Sequence, residues 1–456
     1  MSLRAFYCIF FLLIAHMGFC QLTPVEIAER NKPGTVMVQS TFKGTVSIIQ
    51  PIANAEAVNE LVNSIRTQVR DGLIPQQAFW HTYIMALCKD IDKYMVRGTE
   101  VVKKELDAEM IGSGFIITPD GYMVTNCHVV DENDQVTQEN FAMQAFEEII
   151  EEDLRSFEES TNHTLTEEEA TAFREANAWY FSQTLEVGDI TKTFEVVMGV
   201  TGKEGKIVPV TLQATLITKG EPIPGKDVAI LKLPGKKEYP TIRIGDDKKM
   251  RVGEQVYALG YPGVATFHPL ISEESIAEAT LTRGIVSARK TMRGGWQVIQ
   301  TDVAITHGNS GGPVFNDRGE VIGLATFGSS DEERGQEVQG MNFIVPTTVV
   351  QEFIKKAKIK PAMSKSSLTF EEGLVLFHKG WYEDALVKFR QVKKMNAAYP
   401  FVDAYIEDSK DYVAKDMDRK PDNRKYFYIV GGLLIVLAIV IIIYWRRKSR
   451  NKSFVT

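Results

Sequence analysis

The chain has 456 residues, of which 44% are hydrophobic and 24% are charged, and its formal net charge is −7. These values are ordinary for a globular protein, so they argue against a largely disordered chain and against a polytopic membrane protein. The negative charge argues against a nucleic-acid-binding protein, because binding to phosphates relies on clustered Lys and Arg. At this length we expect more than one folded unit.

Residues 1–20 have the pattern of a secretory signal. A positive charge and the apolar run 9–15 lead to Gly18 and Cys20, which are small enough for cleavage after Cys20. We therefore predict a signal peptide at 1–20 that directs the following residues out of the cytoplasm. A lipoprotein signal acylated at Cys20 is the less favoured alternative, because bulky Phe19 stands where a small residue is expected.

A second apolar run, at residues 427–445, contains no charged side chain. At about 1.5 Å per helical residue it is just long enough to cross a hydrocarbon core about 30 Å thick. Basic residues follow it, which is typical of the cytoplasmic side of a span. We predict a transmembrane helix at 427–445 and a basic cytoplasmic tail at 446–456, with a buried core helix as the alternative. A lipid bilayer is then an expected partner.

Two stretches with helical periodicity interrupt a sequence that is otherwise rich in β-branched residues. In residues 52–105, apolar side chains recur at helical spacing on both sides of Pro75. Residues 131–182 have the same periodicity and a high density of glutamates. We predict helical insertions at both places. The acidic run is interpreted as a solvated face, and a surface that steers basic substrates or binds divalent cations is the alternative.

The other residues before about 360 favour short strands. β-branched runs punctuated by Gly and Pro occur at 35–40 and from about 193 to 350, which predicts a barrel or a sandwich. Residues 366–415 return to helical periodicity and resemble one tetratricopeptide repeat plus part of a second. We predict a helical hairpin there that either acts as a spacer or binds peptides, and the spacer is slightly favoured.

The motif Gly308-Asn-Ser-Gly-Gly-Pro313 carries the strongest chemical signal. A serine hydroxyl becomes a good nucleophile when a base takes its proton. Flanking glycines allow a tight turn in which the amides of Gly308 and Ser310 point at one oxyanion. Upstream, residues 125–130 offer His128 as the base, and residues 226–233 offer Asp227 to orient it. We expect His128, Asp227 and Ser310 to form a catalytic triad.

These motifs, with residues 112–117, 260–263 and 301–305, resemble the HtrA/Deg branch of trypsin-like serine proteases. The resemblance implies a mainly β fold with α insertions, in which two six-stranded antiparallel β-barrels place the triad in the cleft between them. The protease domain would span 21–360 and precede the helical hairpin and the transmembrane helix, with no recognisable PDZ-like domain. The resemblance also implies polypeptide substrates and homo-oligomers, trimers among them.

The resemblance further implies which residues select the substrate. The floor of the primary specificity pocket is expected at Ala304, and the strand edge at Thr326, Phe327 and Gly328 is expected to pair with the substrate backbone. Because Ala304 is uncharged, we expect cleavage after small or medium apolar residues rather than after Lys or Arg.

Cys88 and Cys127 remain after signal cleavage, and they either form a disulfide or stay as two buried thiols. No histidine has ligand-like spacing, so neither a metal nor another cofactor is expected. The favoured function is a membrane-anchored, extracytoplasmic serine endopeptidase in protein quality control or envelope stress. The alternatives are a regulatory protease that cuts one membrane protein, in the manner of a site-1 protease, and a catalytically weak scaffold that binds partners through the hairpin.

Overall fold

The computed structural model describes residues 21–131, 134–202, 205–235, 238–268, 270–331, 336–419 and 423–450. The predicted signal peptide at 1–20 lies outside these described residues, as does the end of the basic tail. The chain divides into two compact units. One is Met1–Val200 with Ile207–Ser364, and the other is Thr201–Lys206 with Lys365–Thr456.

The described strands belong to the first unit, apart from the last residue of β5. They are β1 (Thr35–Ala53), β2 (Met95–Ile116), β3 (Tyr122–Thr125), β4 (Glu186–Val187), β5 (Thr191–Thr201), β6 (Ile207–Lys219), β7 (Ala229–Lys232), β8 (Gln255–Gly260), β9 (Thr280–Thr291), β10 (Gln297–Thr301), β11 (Pro313–Phe315), β12 (Val321–Asp331) and β13 (Gln336–Pro346).

The helices of the first unit are α1 (Pro24–Asn31), α2 (Ala55–Arg70), α3 (Phe79–Lys89), α4 (Ile91–Tyr94), α5 (Cys127–Val130), α6 (Asp134–Thr161), α7 (Glu167–Ser182), α8 (Gly263–Thr266) and α9 (Thr347–Lys356). Short three-ten turns lie at Lys32–Gly34, Gln76–Ala78, Asp247–Lys249 and Glu273–Ala277. The helices of the second unit are α10 (Lys365–His378), α11 (Tyr382–Met395), α12 (Val402–Ala414) and α13 (Asn423–Arg450).

Strands β8 to β13 close into a six-stranded barrel in the order β10-β13-β12-β11-β8-β9. Aliphatic side chains fill it, among them the fully buried Val256, Val286, Ile299 and Val314. Because side chains alternate across a strand, the other face of the same strands supplies a second cluster that includes Tyr257. One of the two predicted six-stranded barrels is thereby confirmed.

The other sheet has seven strands, in the order β2-β3-β7-β6-β5-β1-β4, where the resemblance implies six. Because β1 pairs with both β2 and β5, the sheet closes into a ring. The added strand is β4, whose two residues pair with Val46 and Ser47, beyond the Met37–Lys43 stretch of β1 that pairs with β5. The prediction of six strands is wrong here because the long β1 leaves an open edge that β4 covers.

Strands β1 and β2 extend as a long hairpin, and their pairing reaches Ala53 opposite Met95. Strand therefore occupies both ends of the stretch 52–105, which the periodicity predicts to be helical, and α2 to α4 fill only its middle. Residues 131–182 hold α6 and α7, as their periodicity predicts. Phe42 of the hairpin, Phe141 of α6 and Phe181 of α7 are buried in one cluster, so the insertion at 131–182 shares an apolar core with the hairpin.

In the second unit, α10, α11 and α12 pack around buried aromatic side chains. The ring centroids of Phe370 and Tyr399 lie 4.9 Å apart in this core. The structure thus has a third helix where the sequence analysis predicts a hairpin at 366–415, and the likeness to a tetratricopeptide repeat stays a prediction. Within the described ranges, no helix combines the length and the apolar character that a membrane span requires. The span at 427–445 also stays a prediction.

Candidate active site

His128 lies in α5, a single helical turn that follows β3. Its neighbours Cys127, Val129 and Val130 are fully buried, whereas the His128 side chain is 30% exposed. Val129 packs closely against Gly112, because a Cβ added to Gly112 would lie 2.5 Å from a methyl group of Val129. The apolar neighbours therefore anchor the turn and leave the imidazole accessible.

Asp227 precedes β7 and is fully buried. Its Oδ1 accepts the backbone N–H of His128 at 2.9 Å, and its Oδ2 lies 2.7 Å from Nδ1 of the same ring. The hydroxyl of Thr326 donates to Oδ2 at 2.6 Å. A carboxylate only accepts hydrogen bonds, so this network assigns the proton to Nδ1 and leaves Nε2 as an acceptor. These donors offset the cost of burying the charge.

Ser310 lies in the turn between β10 and β11, whose backbone requires glycine at two positions. Gly308 and Gly311 have φ of +95° and +85°, values that residues with a Cβ rarely adopt. A Cβ on Gly311 would lie 2.2 Å from the carbonyl oxygen of Ser113. Ser113 also holds the turn, because its hydroxyl donates to the Gly308 carbonyl at 2.6 Å and its N–H donates to the Ser310 carbonyl at 2.7 Å.

The Ser310 hydroxyl donates to the carbonyl oxygen of Thr326 at 2.9 Å. It makes no hydrogen bond to His128 in the described part of the chain, although both side chains line one cleft. Within the same described ranges, the amides of Gly308 and Ser310 donate to no protein acceptor. They are therefore available as donors, and their role as an oxyanion site stays a prediction.

Residues 112–324, which contain His128, Asp227 and Ser310, match the model of the trypsin-like peptidase domain. A probable periplasmic serine endoprotease, DegP-like, from Pseudomonas putida is 30% identical over 268 residues, which cover 58% of this chain and 38% of that protein. The serine protease Do-like HtrA from Lactobacillus helveticus is 39% identical over 142 residues, which cover 29% of this chain and 32% of that protein. The chain carries a trypsin-like serine protease domain of the HtrA/Deg type.

The serine protease Do-like HtrB from Bacillus subtilis is a further relative, 29% identical over 218 residues that cover 44% of this chain and 45% of that protein. The chain therefore spans less than half the length of each of these relatives. The likeness lies in the protease domain, and what the complete chain does is taken up below as a proposal.

The cleft of the protease domain has a volume of about 600 Å³. Thr326, Phe327 and Gly328 line it, and the Phe327 ring stacks on Phe343 with centroids 4.7 Å apart. Further apolar lining comes from Met110, Ile111, Pro222, Ile223 and Ile305. The cleft thus offers a substrate a largely apolar surface beside one strand edge.

Ala304, the expected floor of the specificity pocket, does not line this cleft. It is exposed, and its carbonyl accepts a hydrogen bond from the Thr282 hydroxyl at 3.0 Å. Its neighbour Ile305 is 6% exposed and lines the cleft instead. Of these two adjacent residues only Ile305 faces the cleft, and which residue forms the floor of the specificity pocket stays a prediction. The sequence signal for a cleft-lining residue here is that Ile305, next to Ala304, is bulky and apolar.

Cys88 and Cys127 do not form a disulfide, because both thiols are free. The Cys127 thiol donates to the Gly220 carbonyl at 3.3 Å, whereas Cys88 packs against a separate apolar cluster. Burial raises the pKa of Cys127 to about 12 and that of Cys88 to about 11. Both thiols are therefore protonated near neutral pH and are poor nucleophiles.

His81 and His163, which have no ligand-like spacing in the sequence, meet at one carboxylate. His81 Nδ1 and His163 Nε2 each lie 3.2 Å from an oxygen of Glu169, whose side chain is 2% exposed. No group of three or more His, Cys, Asp and Glu side chains among the described residues is arranged to hold a metal ion. This cluster joins α3 to the start of α7.

Proposed function

We propose that the chain is a serine endopeptidase in which Ser310 is the nucleophile, His128 the general base and Asp227 the group that orients the base. The observation that carries the proposal is that His128, held at two points by buried Asp227, lines the same cleft as Ser310. In the proposed reaction the Ser310 hydroxyl leaves the Thr326 carbonyl and donates to Nε2 of His128, which the contact with Asp227 leaves as an acceptor.

The chemistry then follows from the proton positions. Nε2 of His128 takes the Ser310 proton as Oγ attacks the peptide carbonyl, and Asp227 stabilises the imidazolium that forms. The amides of Gly308 and Ser310 bind the oxyanion of the tetrahedral intermediate. His128 then protonates the leaving amine, and water hydrolyses the acyl-enzyme by the reverse sequence of proton transfers.

We propose cleavage after small or medium apolar residues. Ile305 lies near Ser310 in sequence and lines the cleft, and no acidic side chain stands among the lining residues to attract Lys or Arg. A buried charge on the substrate would remain unpaired at such a wall, which is costly. Apolar side chains lose water there instead, which is favourable.

We also propose that the enzyme is extracytoplasmic and attached to a membrane, where it acts on polypeptides in protein quality control or envelope stress. The signal pattern at 1–20 and the basic residues after 445 support this placement. In α13, the apolar side chains of residues 433–443 are exposed and need an apolar partner, which a bilayer supplies. Alkaline carbonate should release the double variant Ile435→Arg, Ile439→Arg from membranes. Retention of this variant in the membrane fraction would contradict attachment through α13.

Cleavage of unfolded casein by the full chain in detergent micelles tests the proposed activity. The wild-type chain is expected to cut casein, and peptides with Val before the scissile bond should be cut faster than peptides with Lys. The matched Ser310→Ala variant should fold normally and cut neither. Equal turnover by the two proteins would show that another group, or a contaminant, does the chemistry.

A further inference from the structure

We propose that Asp131 is a positioning residue for His128, an inference that rests on the proposed endopeptidase function. Asp131 ends the turn α5, where its N–H donates to the Cys127 carbonyl at 2.8 Å. Its carboxylate pairs with Lys192 of β5 and with Lys219 at the end of β6. The Asp131 side chain is only 13% exposed, so solvent screens these ion pairs less than it screens surface pairs.

Lys219 belongs to the chain segment that supports Asp227. It pairs with Ala229 of β7, two residues after Asp227. The next residue, Gly220, donates its N–H to the Val228 carbonyl at 2.8 Å. Residues 219–220 are therefore part of the same hydrogen-bonded framework as the catalytic carboxylate.

Two polar residues that flank His128 in the turn, Cys127 just before it and Asp131 three residues after it, bind this segment. On one side, the Cys127 thiol donates to the Gly220 carbonyl at 3.3 Å. On the other side, Asp131 pairs with Lys219. In addition, the side-chain amide of buried Asn126 donates to the Asp227 carbonyl at 2.7 Å. The turn that carries the base is thus fastened, before and after His128, to the segment that carries the acid.

Asp131 supplies the ionic part of this attachment. Without its carboxylate, the ammonium groups of Lys192 and Lys219 would face each other and repel. Catalytic geometry has to be held within about 0.5 Å, so a small shift of α5 disturbs the 2.7 Å contact between Nδ1 and Asp227. Asp131 does not line the cleft, so its loss should slow the chemistry without weakening substrate binding.

The test compares the full chain in detergent with its variants Asp131→Asn, Asp131→Glu and Lys219→Met. Asp131→Asn is expected to lower kcat roughly tenfold or more with KM unchanged, Asp131→Glu to recover most of kcat, and Lys219→Met to show a smaller loss. The control is Asp120→Asn, which breaks the 3.1 Å pair between Asp120, in the turn before β3, and Lys232 of β7 and leaves residues 126–131 untouched. An unchanged kcat in Asp131→Asn, or an equal loss in the control, would overturn the proposal.

A second readout needs no turnover. The Nδ1–H proton of His128, hydrogen-bonded to Asp227, is expected as a downfield proton NMR resonance that disappears in His128→Ala. It should broaden or vanish in Asp131→Asn and Lys219→Met and persist in Asp120→Asn. A wild-type chain that shows this resonance but cuts nothing would refute the proposed function alone. A resonance that is unchanged in both Asp131→Asn and Lys219→Met would refute the positioning role.

Discussion

Asp227 holds His128 at two points, because its Oδ1 accepts the backbone N–H at 2.9 Å and its Oδ2 accepts the Nδ1 proton at 2.7 Å. The first contact fixes the turn and the second fixes the ring. The same Oδ2 accepts the hydroxyl of Thr326, which stands on the strand that lines the cleft. The orientation of the base is therefore joined directly to the edge where we propose that substrate binds.

This junction predicts that Thr326→Val lowers kcat and stability together. The buried carboxylate would lose one of its donors, and a hydrogen bond to a charged group contributes about 1.5–3 kcal/mol. Thr326→Ser keeps the hydroxyl and serves as the control. Steady-state kinetics and thermal unfolding measure the two effects. If Thr326→Val matches the wild type in both, the contact with Asp227 has no energetic role.

Gly308→Ala is expected to lower kcat strongly while the rest of the fold persists. The residue has φ of +95°, and an added Cβ would lie 2.3 Å from the Tyr261 carbonyl oxygen. Because backbone atoms form that wall, the turn itself has to move, and loss of one oxyanion donor costs about 10²–10³ in kcat. Gly263→Ala is the control, since its Cβ would meet nothing closer than 3.6 Å. Kinetics and circular dichroism report on the two variants, and an active, folded Gly308→Ala would argue against this oxyanion site.

The two thiols predict a distinct alkylation pattern. Peptide mapping without reductant should find Cys88 and Cys127 unlinked. Since burial raises their pKa values to about 11 and about 12, alkylation of the native protein should be slow near neutral pH and should accelerate as the pH rises toward these values. Half-buried Cys88 should react before buried Cys127. A peptide that links the two cysteines would contradict the structure.

The hydrogen bonds of Glu169 predict that the stability of the insertion at 131–182 falls in acid. Burial alone would raise its pKa, but hydrogen bonds from Thr166 and His163 outweigh burial and hold the pKa below its ordinary value. A lowered pKa in the folded state adds stability above the unfolded value of about 4.3, and this stability is lost as the pH falls below it. The wild type should therefore unfold at a higher temperature than Glu169→Gln near neutral pH, and the gap should close in acid. Exposed Glu167→Gln is the control, and a gap independent of pH would contradict the assignment.

The sequence predicts the site better than it predicts the scaffold. His128, Asp227 and Ser310 stand beside strand ends in a fixed order, and the glycines at 308 and 311 reflect local backbone demands, so short motifs suffice to find them. Ser113 and Asp131 act through partners far away in the chain, and no local pattern reveals such contacts.

The long hairpin shows why the rest is harder to predict. Residues 95–110 of β2 belong to this hairpin, and Val102, Leu106 and Met110 among them pack in one cluster with side chains of α6 and α7. Tertiary contacts of this kind override the local pattern. The same holds for β4, whose two residues form a strand only because the edge of β1 is available.

Labelling of the folded full chain with a fluorophosphonate probe tests the central claim most directly, because the probe reacts with a serine whose hydroxyl is activated. Digestion and mass spectrometry then locate the adduct. We predict a single adduct on Ser310 that is absent from Ser310→Ala and strongly reduced in His128→Ala. An adduct on another residue, or none on a folded chain even with unfolded protein added, would contradict the proposal that Ser310 is the nucleophile of this protease.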